Sequence, residues 1–168
     1  MPANASETLV RETRDPDLGA LELWLTRVKT VALPISKQTA EYSDWRGHLG
    51  PDETPLVISI DGDADETLGF IDAKTRKLIR SLPARAAQLK SDAAAKMLVL
   101  AREWAENEAL SQEELASMLR LSEVSVLADA EGSDVQLWFE ESGDIFAGHS
   151  VMARLDGEGQ IDDIGLEG

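Results

Sequence analysis

"VSVLADAEGSDVQLWFEESGDIFAGHSVMARLDGEGQIDDIGLEG", residues 124–168, decides the fold class, because apolar residues recur there at every second position and turn residues interrupt them. Val124 and Val126 alternate with polar neighbours, "EGS" turns the chain, and Val135, Leu137 and Phe139 line one face of the next segment. Asp134, Gln136 and Trp138 take the opposite face, so Trp138 needs either a second packed layer or a partly exposed surface. "ESGD" makes another turn, "IFAGHSVMARL" the following strand, and "DGEG" the turn into a short last strand near residues 160–164. The order predicts a C-terminal antiparallel meander of three or four strands.

Upstream, the period lengthens to that of a helix. Ala86, Leu89, Ala93, Met97, Leu100, Ala101 and Trp104 form an apolar stripe along residues 84–110, which places Trp104 in the core and demands a hydrophobic partner surface. Pro83 suits the first turn of this helix. A weaker helix precedes it, carrying Leu68, Ile71 and Leu78 or Ile79 and interrupted by Gly69. Ser111 stands three residues before Glu114, the spacing of a capping box, and opens a short helix with Leu115, Met118 and Leu119 inward.

Nearer the start, Leu21, Leu23 and Leu25 alternate with Glu22, Trp24 and Thr26 as a half-buried strand, with a second strand near residues 28–33. "SDWRGHLGPDETP" reads as a loop because of its glycines and prolines, and residues 56–60 as a short apolar strand closed by an Asp-Gly turn. Residues 1–17 are polar and read as a mobile lead-in; residues 18–168 then form a single α+β domain, its helical middle packed against antiparallel sheet. The two β portions make either one sheet or two sub-sheets bridged by helices.

Composition bounds the function. The 168 residues are 43% hydrophobic, enough for a sizeable core, and contain no cysteine, which excludes disulfides, thiolate metal sites and cysteine nucleophiles. No segment approaches the roughly 20 apolar residues of a membrane span, and the start lacks the basic and apolar pattern of a signal peptide, so a cytoplasmic location is expected. The formal charge is -16, with 32 acidic and 16 basic side chains. From Leu121 onward 12 acidic residues face a single Arg154, a net of -11. Such a region repels nucleic acid and anionic membranes and attracts a basic protein.

Candidate chemistry centres on His149, which a carboxylate such as Asp144 could orient as a general base, with Asp156 on a neighbouring turn. Ser150, adjacent in a strand, would leave the opposite face, which argues against a simple serine–histidine pair. Asp61, Asp63 and Asp65 alternate as in a calcium loop, but Glu66 stands at the glycine position and Asp72 at the last-ligand position. "DGEGQIDD" groups Asp156, Glu158, Asp162 and Asp163 without that register either. His48 and His149 are too far apart in sequence for a zinc motif, the helix carboxylates Glu103, Glu106 and Glu108 form no distinctive pair, and no phosphate loop, dinucleotide fingerprint or nucleophile elbow occurs. No cofactor is expected.

The ending resembles a bacterial family of uncharacterised proteins, the domain-of-unknown-function 2262 family. Asp144, Ile145, Phe146, Gly148, His149 and Ser150 match the first part of its terminal pattern, and Asp156, Gly157, Ile161, Asp162, Leu166 and Gly168 the second, while Ala147 replaces the usual bulky aromatic. "KMLVLAREWAENEALSQEEL" resembles its helix–link–helix segment. The resemblance brings no reaction; it implies an immunity or accessory role beside bacterial toxins. A noncatalytic protein-interaction domain is therefore expected first, with Asp134, Glu140, Asp162 and Asp163 pairing with a basic partner and Trp138 supplying apolar contact. A His149-centred hydrolase or metal-dependent enzyme, and a structural or assembly protein, are the competing expectations.

Overall fold

Leu56, Ile58 and Ile60 are almost completely removed from solvent while Val57 and Asp61 on the opposite side are exposed, and this alternation sets the two faces of a single eight-stranded sheet. The structure, a computed structural model, describes residues 4–32, 36–51, 56–62 and 65–168. Strands β1 (Asn4–Asp15), β2 (Gly19–Ala32), β3 (Ser36–Leu49) and β4 (Leu56–Asp61) form one antiparallel run. A second antiparallel run comprises β5 (Leu119–Asp129), β6 (Gly132–Glu141), β7 (Ser150–Leu155) and β8 (Ile161–Glu167). The runs join where β4 pairs with β5 in parallel, so spatial order equals chain order.

A parallel pair needs a long crossover, and α1 (Asp65–Phe70), α2 (Ala73–Trp104) and α3 (Gln112–Met118) provide it. Ile79, Leu82, Leu89, Ala93, Ala94, Met97 and Ala101 of α2 are buried in the same core as Ile58, Val126, Leu137, Phe139 and Val151 of the sheet. The alanines let the helix axis lie close to the strands. α2 reaches across to β8 at the sheet edge, while α1 and α3 pack on β5.

The α+β architecture, the four-stranded C-terminal meander and the short capped helix agree with the sequence reading; several boundaries differ. Asn4–Asp15, expected as a mobile lead-in, is β1, hydrogen-bonded along β2. The expected pair of strands over 21–33 is one long strand to Ala32, because no turn residue breaks its pairing with β3; Leu33 lies outside the described residues. Much of the expected "SDWRGHLG" loop is β3, with Trp45, Gly47 and Leu49 inward. Gly47 is required by packing rather than flexibility: a Cβ there would lie 2.7 Å from the Ala20 carbonyl oxygen and 2.8 Å from Leu21 Cδ2. Pro83 falls inside α2 instead of opening a helix. An interior proline costs about 3 kcal/mol, and burial of the flanking Ile79, Leu82 and Leu89 offsets it.

Asp72 caps α2 by accepting from the Thr75 amide at 2.7 Å, and those hydrogen bonds hold its carboxyl below the usual range. At α3 the Ser111 hydroxyl accepts from the Glu114 amide at 3.1 Å and the Glu114 carboxylate from the Ser111 amide at 2.8 Å. Ser111→Ala is expected to destabilise by about 1 kcal/mol, measured by urea unfolding with an unchanged m-value.

The β1–β2 turn is fastened to the helices by a charged pair. Asp15 accepts from the amides of Asp17 and Leu18, both at 2.9 Å, and meets Arg76 Nη1 at 2.5 Å. Arg76 also donates to the Leu68 and Ile71 carbonyls between α1 and α2. The two side chains are only 8% and 16% exposed.

Candidate functional site

Period-two alternation determines what the helix-free face of the C-terminal meander presents. With Val135, Leu137 and Phe139 buried under α2, Asp134, Gln136, Trp138 and Glu140 emerge opposite. Register carries the face outward: Gln136 stands across from Arg154, and Arg154 across from Asp163. Asp134, Trp138, Glu140 and Asp163 therefore share one surface. Asp162 sits at the register shift at the start of β8 and is exposed beside them.

Part of this acidity is balanced locally. Glu140 forms an ion pair with Arg120, and Asp162 with Arg154 at 3.3 Å, each between exposed side chains. Asp134 accepts from the Gln136 amide at 3.1 Å. Neither Arg120 nor Arg154 followed from the sequence as a partner, since cross-strand register brings them in.

Trp138 is half-buried, set between Glu123 and Met152 on the adjoining strands. Its indole nitrogen is fully shielded and has no hydrogen-bond acceptor. The face continues onto β4 and β3, where the Ser59 hydroxyl donates to Glu123 at 2.6 Å and Arg46 bridges Asp44 and Glu7 while lying 5.7 Å from the Trp24 ring. The opposition of Glu123 and Ser125 to Val124 and Val126 was a signal for this extension.

His149 has a different setting from the one expected. Residues 144–149 form a loop, and β7 begins only at Ser150. The loop is folded on the Glu141 carboxylate, which accepts from the amides of Gly143, Ile145 at 2.7 Å and Phe146 at 3.4 Å. Asp144 and Ala147 take left-handed conformations at φ 56° and 50°, costly for residues with a Cβ. Phe146 is buried as its pattern required. The His149 amide donates to the Phe146 carbonyl at 2.9 Å, and its half-buried ring meets Trp104 edge-on at 5.8 Å. Trp104 is not a core residue: at 44% exposed it lies over Phe146 and His149 at the end of α2.

A shallow depression of about 200 Å³ collects Glu140, Glu141, Asp144, His149 and Ser150. Its carboxylates do not form a catalytic relay. Glu140 is paired with Arg120, Glu141 with loop amides, and Asp144 makes neither a hydrogen bond nor an ion pair with His149. Asp156 is taken up by the β7–β8 turn, where the amides of Gln160 and Glu158, at 2.9 Å each, lower its pKa.

Asp61 ends β4 opposite Asp44 on the open face, Asp63 lies outside the described residues, and Asp65 opens α1 with its side chain outside them. Among the described residues no group of three acidic or histidine side chains is placed to hold a metal ion, and no helix is long and apolar enough to cross a membrane.

No curated protein and no solved structure matches the chain. The model of a family described as an uncharacterized protein conserved in bacteria does match, over residues 32–166, which spans the described sheet from the end of β2 almost to the end of β8 together with all three helices. The chain belongs to the DUF2262 family.

Proposed function

We propose that this is a noncatalytic protein-interaction domain whose open C-terminal sheet face receives a basic protein, with neutralisation of a basic bacterial toxin as its concrete form. The observation that carries the reading is that Asp134, Trp138, Glu140 and Asp163 project from one helix-free surface. Carboxylates spread around an aromatic side chain steer a cationic surface and then exclude water around a central contact. The same negative face repels nucleic acid and anionic lipid. The absence of cysteine fits action in the cytoplasm.

The test is binding to a panel of purified cationic nuclease toxins, measured by interferometry across a salt series together with toxin inhibition. Trp138→Ala is expected to weaken binding at least tenfold, chiefly through faster dissociation. Asp134→Lys with Asp163→Lys is expected to slow association and flatten the salt dependence. Failure to bind or inhibit any cationic toxin, or variants that bind like the parent, would overturn the reading.

A further inference from the structure

Among the described residues the sheet has two open edges, and they differ. β1 carries both charge signs and a register shift between Leu9 and Arg11, the kind of irregularity that blunts an edge. Glu7 on it is engaged by Arg46, and Arg11 lies 5.0 Å from the Trp45 ring. β1 also precedes the region matched by the family model, whereas β8 lies within it up to residue 166. Past its initial shift, β8 is regular from Asp163 to Glu167, each residue in step with β7.

Three properties of β8 converge on an extended ligand. Among the described residues it is the last strand of the sheet, so one side of its backbone has no neighbouring strand; the Ile164 amide is held by the adjacent Asp163 carboxylate at 3.0 Å, a contact that an added strand has to displace, its carbonyl taking the amide and its basic side chain the carboxylate. On the helix side, Ile164 and Leu166 stand beside the buried Ala153 and Val151 but remain half-exposed. On the open side, Asp163 and Glu167 flank Gly165, and the nearby Arg154 is occupied by Asp162.

We propose that β8 receives an extended basic segment of the partner protein as a ninth strand. The inference rests on the basic-partner reading above and assigns a mode of attachment to it. Register defines the segment: basic side chains four positions apart to meet Asp163 and Glu167, a free choice between them opposite Gly165, and apolar side chains at the two intervening positions beside Ile164 and Leu166. Main-chain hydrogen bonds supply affinity and the alternating side chains supply selectivity. A second copy of β8 does not fit, because its carboxylates would face those already present.

The experiment titrates the full-length protein with a capped peptide built around Lys-Val-Thr-Val-Lys and follows backbone amide shifts by NMR. Expected are shifts centred on residues 161–167, contacts between peptide and β8 backbone protons, at least tenfold weaker binding of the same residues reordered as Lys-Lys-Thr-Val-Val, and at least tenfold weaker binding to Asp163→Lys/Glu167→Lys. Ser111→Ala, which removes only the cap of α3, should bind within twofold of the parent. Equal binding of the reordered peptide, or no shifts at millimolar peptide, overturns strand addition. Shifts centred on Asp134 and Trp138, lost in Trp138→Ala, also overturn it while leaving the basic-face reading standing. Loss of toxin binding with retained peptide binding to β8 would instead remove the face.

Discussion

Arg76→Ala is expected to lower the unfolding free energy by about 3 kcal/mol, because it strands a buried carboxylate and releases two inter-helix carbonyls at once. For a chain of this length that corresponds to a fall of roughly 10 °C in Tm, readable by calorimetry. The pH dependence identifies the cause. Burial raises the Asp15 pKa, but the Arg76 hydrogen bond, the Leu18 and Asp17 amides and the Arg76 charge outweigh it and leave it below the ordinary value. A depressed carboxyl contributes stability fully above its unfolded value of about 4, and that contribution disappears as pH falls through the folded value. The parent should therefore lose stability more steeply than Arg76→Ala between about pH 5 and the folded pKa, and the two curves should approach each other in acid, separated there by the lost hydrogen bonds to the Leu68 and Ile71 carbonyls. Parallel curves would show that the pair contributes only by packing.

Glu141→Ala should have the second largest effect, about 2 kcal/mol, since its carboxylate holds three loop amides and substitution leaves part-buried donors without an acceptor. The consequence extends beyond stability. Asp144 and Ala147 keep left-handed backbones only while surrounding contacts determine them, so their release should let the loop relax and separate His149 from Trp104. Chemical denaturation reads the first effect, and the His149 ring proton shifts, set by the Trp104 ring current, read the second. Asp144→Asn, which tolerates the same backbone region, should change neither by much. Unaltered His149 shifts in Glu141→Ala would show that the loop is held elsewhere.

These two positions show where sequence patterns stop. The meander was legible because alternating Val135, Leu137 and Phe139 each meet the same buried face, and α3 because Ser111 and Glu114 interact across one turn. β1 was not legible: its inward positions include Arg11 and Thr13, so it follows no apolar alternation and is defined by pairing with β2. β3 was hidden for a related reason, since Gly47 resembles a loop residue yet is fixed by the close approach of Ala20 and Leu21. At the candidate site, alternation alone placed Asp134, Trp138 and Glu140 together. The charge partners Arg120 and Arg154 depended on cross-strand register, and the seat of His149 on Trp104 depended on where a 32-residue helix ends against a distant loop.

The parallel junction of β4 and β5 also has a consequence during synthesis. A ribosome delivers β1 through β4 as a self-contained antiparallel run, but the side of β4 destined for β5 gains its partner only after the whole helical crossover has emerged. Until then the nascent chain displays an unshielded strand bearing Ile58 and Ile60, both completely covered at the end. Translation pausing or truncation within α2 should thus yield aggregates nucleated at residues 56–60, whereas a chain released past residue 129 can close that gap on itself.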